Sequence, residues 1–142
     1  MAPTAEATGG CLCGAVTYKI NGPMRPVVYC HCSQCRKTSG HFVAATAVSH
    51  QHLTLTGQAG LAWYRSSDIA RRGFCKHCGS SLFWEPAHGK YLCVMAGTID
   101  APTGLESREH IHTADASDYY DVCDGLPQFE HDHPGLWEGD GK

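Results

Sequence analysis

No stretch of this sequence approaches the roughly 18 consecutive apolar residues that a membrane-spanning helix needs. Its start, MAPTAEATGG, has neither the basic residues nor the apolar run of a secretory leader. The expectation is a cytoplasmic protein with no membrane partner. An excess of positive charge is also missing. The 142 residues carry a formal charge of −3, and the basic residues are scattered apart from pairs such as Arg36-Lys37 and Arg71-Arg72. That distribution excludes the basic footprint of a nucleic-acid binder. Long amphipathic helices are absent too, because no window of a dozen residues places apolar side chains at i, i+3, i+4 and i+7. The best helical candidate is short: DASDYYDVCDG, Asp115 to Gly125, where Asp115 or Ser117 would cap the start and Gly125 would stop the end.

What is present in place of helices is a series of short runs with alternating or β-branched character. AVTYKI, RPVVY, FVAATAV, LTLTG, LAWYR, SLFWE and YLCVMAG recur at close intervals, and Gly, Pro, Asn or Ser punctuate most of the gaps. A chain of this length suits one domain with its own core. The reading is a single, mainly β domain over residues 9–130, with loosely held ends at 1–8 and 131–142.

Cysteine is the residue in excess. Nine are present, and seven fall in close groups: Cys11 and Cys13; Cys30, Cys32 and Cys35; Cys75 and Cys78. In a reducing compartment such groups serve better as chelators than as disulfides. Each group lies at a strand end, where backbone amides can point at thiolate sulfur. A structural zinc site takes four ligands, usually as two close pairs, and two divisions satisfy that rule. Cys11, Cys13, Cys75 and Cys78 can close one site and leave Cys30, Cys32 and Cys35 as a three-thiolate site with one open position. Alternatively, Cys32-Cys35 and Cys75-Cys78 form a conventional ribbon, and the rest are ordinary thiols. Spacing leaves both open.

The segments GGCLCGAVTY, YCHCSQCRKTSGH, RRGFCKHCGSSLFW and MAGTIDAP, followed by EHIHTADASDYYDVCDGLPQFE, occur in an order that resembles the glutathione-dependent formaldehyde-activating family, also called centromere-protein-V-like, from about Gly9 to Glu130. The resemblance implies a mainly β fold similar to the zinc domain of methionine sulfoxide reductase B, with two zinc ions at strand-end turns. By position, Cys11, Cys13, Cys75 and Cys78 match the structural ligands, and Cys30, Cys32 and Cys35 match the catalytic ones. It further implies a carbon–sulfur lyase that makes or breaks a thiol–aldehyde adduct such as S-(hydroxymethyl)glutathione, with glutathione and formaldehyde as small-molecule partners. One departure bears on the substrate pocket: the family commonly has a tryptophan after HIF, where this chain has HIHTADASDYYDV with Tyr119 and Tyr120. The alternative reading is a non-catalytic zinc module, which predicts saturated metal sites and no cleft.

A three-thiolate zinc carries a net negative charge, so it suits activation of a thiol better than production of a strongly acidic water. A proton must still reach the product oxygen. His31 and His41 are the candidates by sequence proximity, against the plainer reading that His31 alternates away from the metal. Arg36 and Lys37 are candidates for the thiol's carboxylates, against simple charge compensation. Cys93 and Cys123 read as packed thiols. His110/His112 and His131/His133 look like chelators, although H-x-H on a strand puts both rings on one face without any metal. Trp63, Phe83 and Trp84 read as core or pocket wall.

Overall fold

The computed structural model describes residues 6–133. The expected loose ends lie largely outside that range. Ten strands and one helix follow in order: β1 (Ala7–Gly10), β2 (Val16–Ile20), β3 (Val27–Cys30), α1 (Ser33–Ser39), β4 (Val43–Ser49), β5 (Leu53–Gln58), β6 (Leu61–Arg65), β7 (Ala70–Cys75), β8 (Ser81–Pro86), β9 (Tyr91–Met95) and β10 (Ser107–Ile111). The chain is the mainly β domain that its sequence pattern implies. No helix among the described residues is long and apolar enough to cross a membrane.

The strands form two sheets. A small one has the order β1-β2-β5, and a larger one runs β10-β3-β4-β9-β8-β7-β6. Every neighbouring pair is antiparallel except β10 with β3, which is parallel. Alternation explains which side chains go inside. In β2, Val16, Tyr18 and Ile20 are buried while Thr17 and Lys19 face outward. Strand β4, between β3 and β9, is buried along almost its whole length. The sheets share one core in which Val16, Tyr18 and Ile20 meet Val48, Leu82, Phe83, Leu92 and Val94. Each of these large side chains contributes about 1.5–3 kcal/mol by leaving water. Tyr18 lies edge-on to Phe83 at 5.5 Å and keeps its hydroxyl satisfied by Thr98 Oγ1 at 2.7 Å.

The helix is not where the sequence pattern placed it. Residues 115–125 contain no α-helix; a 3-10 turn over Thr113–Asp115 is followed by irregular chain. Just before this segment the amides bond forward to residues near its far side, Thr113 N–H to Phe129 O and Ala114 N–H to Glu130 O. Without an apolar stripe to bury, nothing holds residues 115–125 in a helix. The α-helix starts instead inside the cysteine run. Cys32 caps it, its sulfur accepting the Cys35 amide at 3.3 Å, and Gly40 closes it in left-handed backbone, φ 87°.

Candidate metal centres and the adjoining cavity

The seven clustered cysteines fall into two groups. Cys11, Cys13, Cys75 and Cys78 converge, and separately so do Cys30, Cys32 and Cys35, the sulfurs within each group lying within 4.8 Å of one another. This is the first of the two divisions; the ribbon of Cys32-Cys35 with Cys75-Cys78 does not form. Both clusters can hold a metal ion.

The four-cysteine cluster joins the β1–β2 turn of the small sheet to the β7–β8 turn of the large one. Cys11–Cys13 and Cys13–Cys75 are each 3.7 Å apart. Zinc–sulfur bonds of about 2.3 Å in a tetrahedron place sulfurs about 3.8 Å apart, so the spacing fits that ion. The turns are shaped around the sulfurs. The Val16 amide bonds Cys11 Sγ at 3.2 Å, and Ser80 Oγ lies 3.2 Å from Cys78 Sγ. Hydrogen bonds from the Ser80 side chain and amide and from the Cys13 amide lower the Cys78 thiol to about 5, toward the thiolate a metal needs. Gly60 is required by closeness: a Cβ there would stand 2.8 Å from Cys75 Sγ.

The three-cysteine cluster is assembled locally, by the end of β3 and the first turn of α1. Cys32 is pushed far below the usual thiol range, first by hydrogen bonds from the Cys30 and Cys35 thiols and then by the Cys35 and Gln34 amides. Its partner Cys30 is pushed far up by Cys32 and Cys35. One sulfur thus carries charge readily, and three would need a cation among them. No fourth cysteine, imidazole or carboxylate joins the cluster among the described residues. Instead Cys30, Cys32 and Cys35 line a cavity of about 360 Å³ whose walls include Val28, Val43, Ala45, Met95 and Ile111, with Arg25, Arg72, Tyr91, Cys93, His112 and Asp132 as its chemically active side chains. Arg72, on β7, reaches across with Nη2 3.7 Å from Cys35 Sγ and 3.3 Å from Gln34 Oε1. Arg25 is 3% exposed, anchored on Ala45 O at 3.0 Å. Neither guanidinium has a carboxylate within ion-pair distance among the described residues.

The family model described as glutathione-dependent formaldehyde-activating enzyme matches residues 6–115. The chain belongs to this family. It is also 34% identical over 86 residues to a Schizosaccharomyces pombe protein named as an uncharacterized lyase, covering 60% of this chain and 61% of that protein. The match therefore spans less than two thirds of the relative's length. A crystal structure of a Rhodobacter sphaeroides protein, at 21% identity, superposes with a TM-score of 0.55 over 86% of this chain and 98% of that one, a likeness of fold.

Against this family frame, several expectations change. His31 does not face the cavity. It packs on the other side of β3 against Phe42 and His110, fully buried, in a hydrogen-bonded chain. Asp124 only accepts, so His110 Nε2–H donates to Asp124 Oδ2 at 2.7 Å, His31 Nε2–H donates to His110 Nδ1 at 2.8 Å, and the Tyr120 hydroxyl donates to His31 Nδ1 at 2.5 Å. Burial, with His110 and His41 nearby, holds His31 down at about 4. His41 is exposed and pairs with the Tyr119 hydroxyl. Tyr119 and Tyr120 thus stack on these histidines rather than shaping the cavity. Arg36 turns to Ser117, Nη1 to Oγ 3.3 Å, and Lys37 is exposed. His133 bonds buried Glu109 at 2.6 Å, and His131 is exposed. Cys123 is exposed, not packed, because its segment lies on the surface. Cys93 is packed as expected but borders the cavity, where burial raises its thiol. Phe83 is core, Trp84 is cavity wall, and Trp63 carries Arg71 over its ring at 3.9 Å.

Sequence reasoning missed Arg25, Arg72 and His112 as cavity residues. Arg25 sits alone before a strand and gives no signal. Arg72 is one of a pair, and strand alternation sends Arg71 and Arg72 to opposite faces of β7 without saying which face meets a cavity.

Proposed function

We propose that this chain is a zinc-dependent carbon–sulfur lyase of the glutathione-dependent formaldehyde-activating type, joining a thiol to an aldehyde or releasing the pair. The observation that carries the reading is the opening of three convergent thiols onto a cavity. A structural module would have no use for a cavity beside an incomplete ligand set.

In this reading Cys11, Cys13, Cys75 and Cys78 hold one zinc as a closed site, and Cys30, Cys32 and Cys35 hold the second. Three soft sulfur donors in close convergence fit zinc among the common biological ions. Zinc held by these three cysteines would supply the Lewis acidity that eases loss of a thiol's proton and makes its sulfur a nucleophile. The chain supplies the rest. The apolar walls, Val28, Val43, Ala45 and Met95, exclude water around the reacting carbon. Arg72, held by Gln34, places a positive charge beside Cys35 and so beside the three-thiol cluster. Arg25 and Arg72 give the cavity a positive wall suited to a thiol that carries carboxylates, of which glutathione is the one the family name indicates. The net reaction adds R–SH across an aldehyde C=O: a C–S bond forms, the carbonyl π pair moves to oxygen, and that oxygen takes the proton. With formaldehyde the product is S-(hydroxymethyl)glutathione.

Because this addition proceeds unaided in water, the protein needs to remove only a few kcal/mol, on the order of what holding two reactants together provides. The measurement is therefore exchange between free formaldehyde plus glutathione and their adduct at equilibrium, followed by NMR. The wild-type protein should accelerate exchange, and Cys32→Ser and Cys35→Ser should match the protein-free rate. A wild-type rate equal to the background would sink the lyase reading.

A further inference from the structure

The motif His110-Ile111-His112 promised two rings on one face of a strand, and the fold separates them. Strand β10 ends at Ile111, and His112 takes left-handed backbone with φ 55°, alone among the described non-glycine residues in having a positive φ. That conformation is unfavourable for a residue with a Cβ and persists where its surroundings dictate it. Here two backbone bonds do so, His112 N–H to His131 O and Asp115 N–H to His112 O, both 3.1 Å. The consequence is a change of side. His110 stays in the buried stack with Tyr29 and His31, while His112 borders the cavity together with Cys30, Cys32 and Cys35. It is half-buried, and its ring is hydrogen-bonded to no other described residue.

We infer that His112 is the proton-transfer group of this cavity. The inference rests on the lyase reading, which needs a group that accepts a proton and returns it. The other ionisable cavity residues fit that need poorly. Arg25 and Arg72 remain charged. Tyr91 and Cys93 are both pushed up by burial. Asp132 is exposed. Imidazole is the side chain that does both halves near neutrality. In the forward direction, the proton given up by the incoming thiol passes to a ring nitrogen of His112. The sulfur lone pair then forms the C–S bond, the carbonyl π pair moves to oxygen, and the imidazolium hands the same proton to that oxygen. Nothing else is consumed, and the ring ends as it began.

The test uses the full-length, metal-loaded chain in the exchange assay. His112→Asn keeps a residue that tolerates left-handed backbone, and His112→Gly tolerates it while leaving a gap in the wall. Both should lose rate at saturating substrate by on the order of 10²-fold, with half-saturation shifted by less than about threefold. Millimolar imidazole should restore part of the rate in His112→Gly and none in Cys32→Ser. Wild-type rates in both variants, a loss confined to half-saturation, or a loss that imidazole leaves unrestored would each overturn the inference while the lyase reading stands. A loss in Asp132→Asn with none in the two His112 variants would pass the role to the carboxylate. A wild-type protein that does not exceed background removes the lyase reading, and this role with it.

Discussion

Cys75 and Cys35 are both buried thiols in C-x-x-C spacing, yet they belong to clusters that close different lengths of chain. The cluster of Cys75 bridges turns more than sixty positions apart, with Cys13–Cys75 in contact across 62 residues, and it ties the small sheet to the large one. The cluster of Cys35 lies within six residues and closes no long loop. Cross-linking distant segments removes far more freedom from the unfolded chain than clipping a turn that α1 already orders. A metal ion held by the long-range cluster would therefore contribute more to the fold than one held by the local cluster. The local one can keep an open side, because little of the fold is lost when it is disturbed.

That contrast breaks most sharply under substitution. If the four-cysteine cluster holds zinc as proposed, Cys75→Ser should give insoluble protein or a thermal midpoint lowered by tens of degrees, on the order of the several kcal/mol a structural zinc supplies. Cys32→Ser should leave a soluble, folded chain that holds one zinc by metal analysis and lacks exchange activity. Equal stability losses in the two variants would erase the distinction between the clusters.

A smaller effect is expected at Arg72, which belongs to the sheet but serves the local cluster. Arg72→Met keeps the aliphatic packing on β7 and removes the charge beside Cys35. The fold should stay intact, with a thermal midpoint within a few degrees of wild type, and saturating exchange should fall about tenfold, the equivalent of one charge-assisted contact of about 1.4 kcal/mol. Arg72→Lys should recover part of the rate, since both contacts come from the one nitrogen Nη2 and an ammonium keeps the positive charge there. Unchanged exchange in Arg72→Met would show that the open cluster needs no offsetting charge.

The strands were legible because their alternation is short-range: VTYKI states its buried face outright, and Val16, Tyr18 and Ile20 are where that pattern puts them. The cysteine partition was only half legible. Spacing allowed two groupings, and the choice between them depends on which turns the sheets bring together, a long-range fact. Helix α1 escaped notice because seven residues are too few for periodicity and its cap is a cysteine, chosen for its sulfur and not as an ordinary N-cap residue. The misplaced helix at 115–125 had capping residues but no apolar face to bury. His112 was mistaken for a strand residue because left-handed backbone at one position reverses the alternation on which H-x-H reasoning relies.

The smallest predicted effect on exchange concerns the face of β3 turned away from the cavity, where His31 stands between two cavity cysteines without sharing their environment. Its ring is neutral in the fold, accepting from Tyr120 and donating to His110, and it is held at about 4 against an ordinary histidine value of about 6.5. A histidine lowered on folding stabilises the protein above its unfolded value, and that contribution drains away as pH falls from about 6.5 to about 4, up to about 3 kcal/mol across the interval. Tyr120→Phe removes the donor and leaves His31 Nδ1 buried without a partner. It should cost about 1–3 kcal/mol at neutral pH, seen in denaturant unfolding. Exchange activity at pH 7 should hardly move, because neither Tyr120 nor His31 borders the cavity. An imidazole titration by NMR gives the direct check: the His31 resonances should stay neutral down to about pH 4, and a midpoint near 6.5 in the folded protein would dissolve the hydrogen-bonded chain. Should Tyr120→Phe instead abolish exchange while leaving stability intact, the two faces of β3 are coupled, and the separation between a structural face and a reacting face fails there.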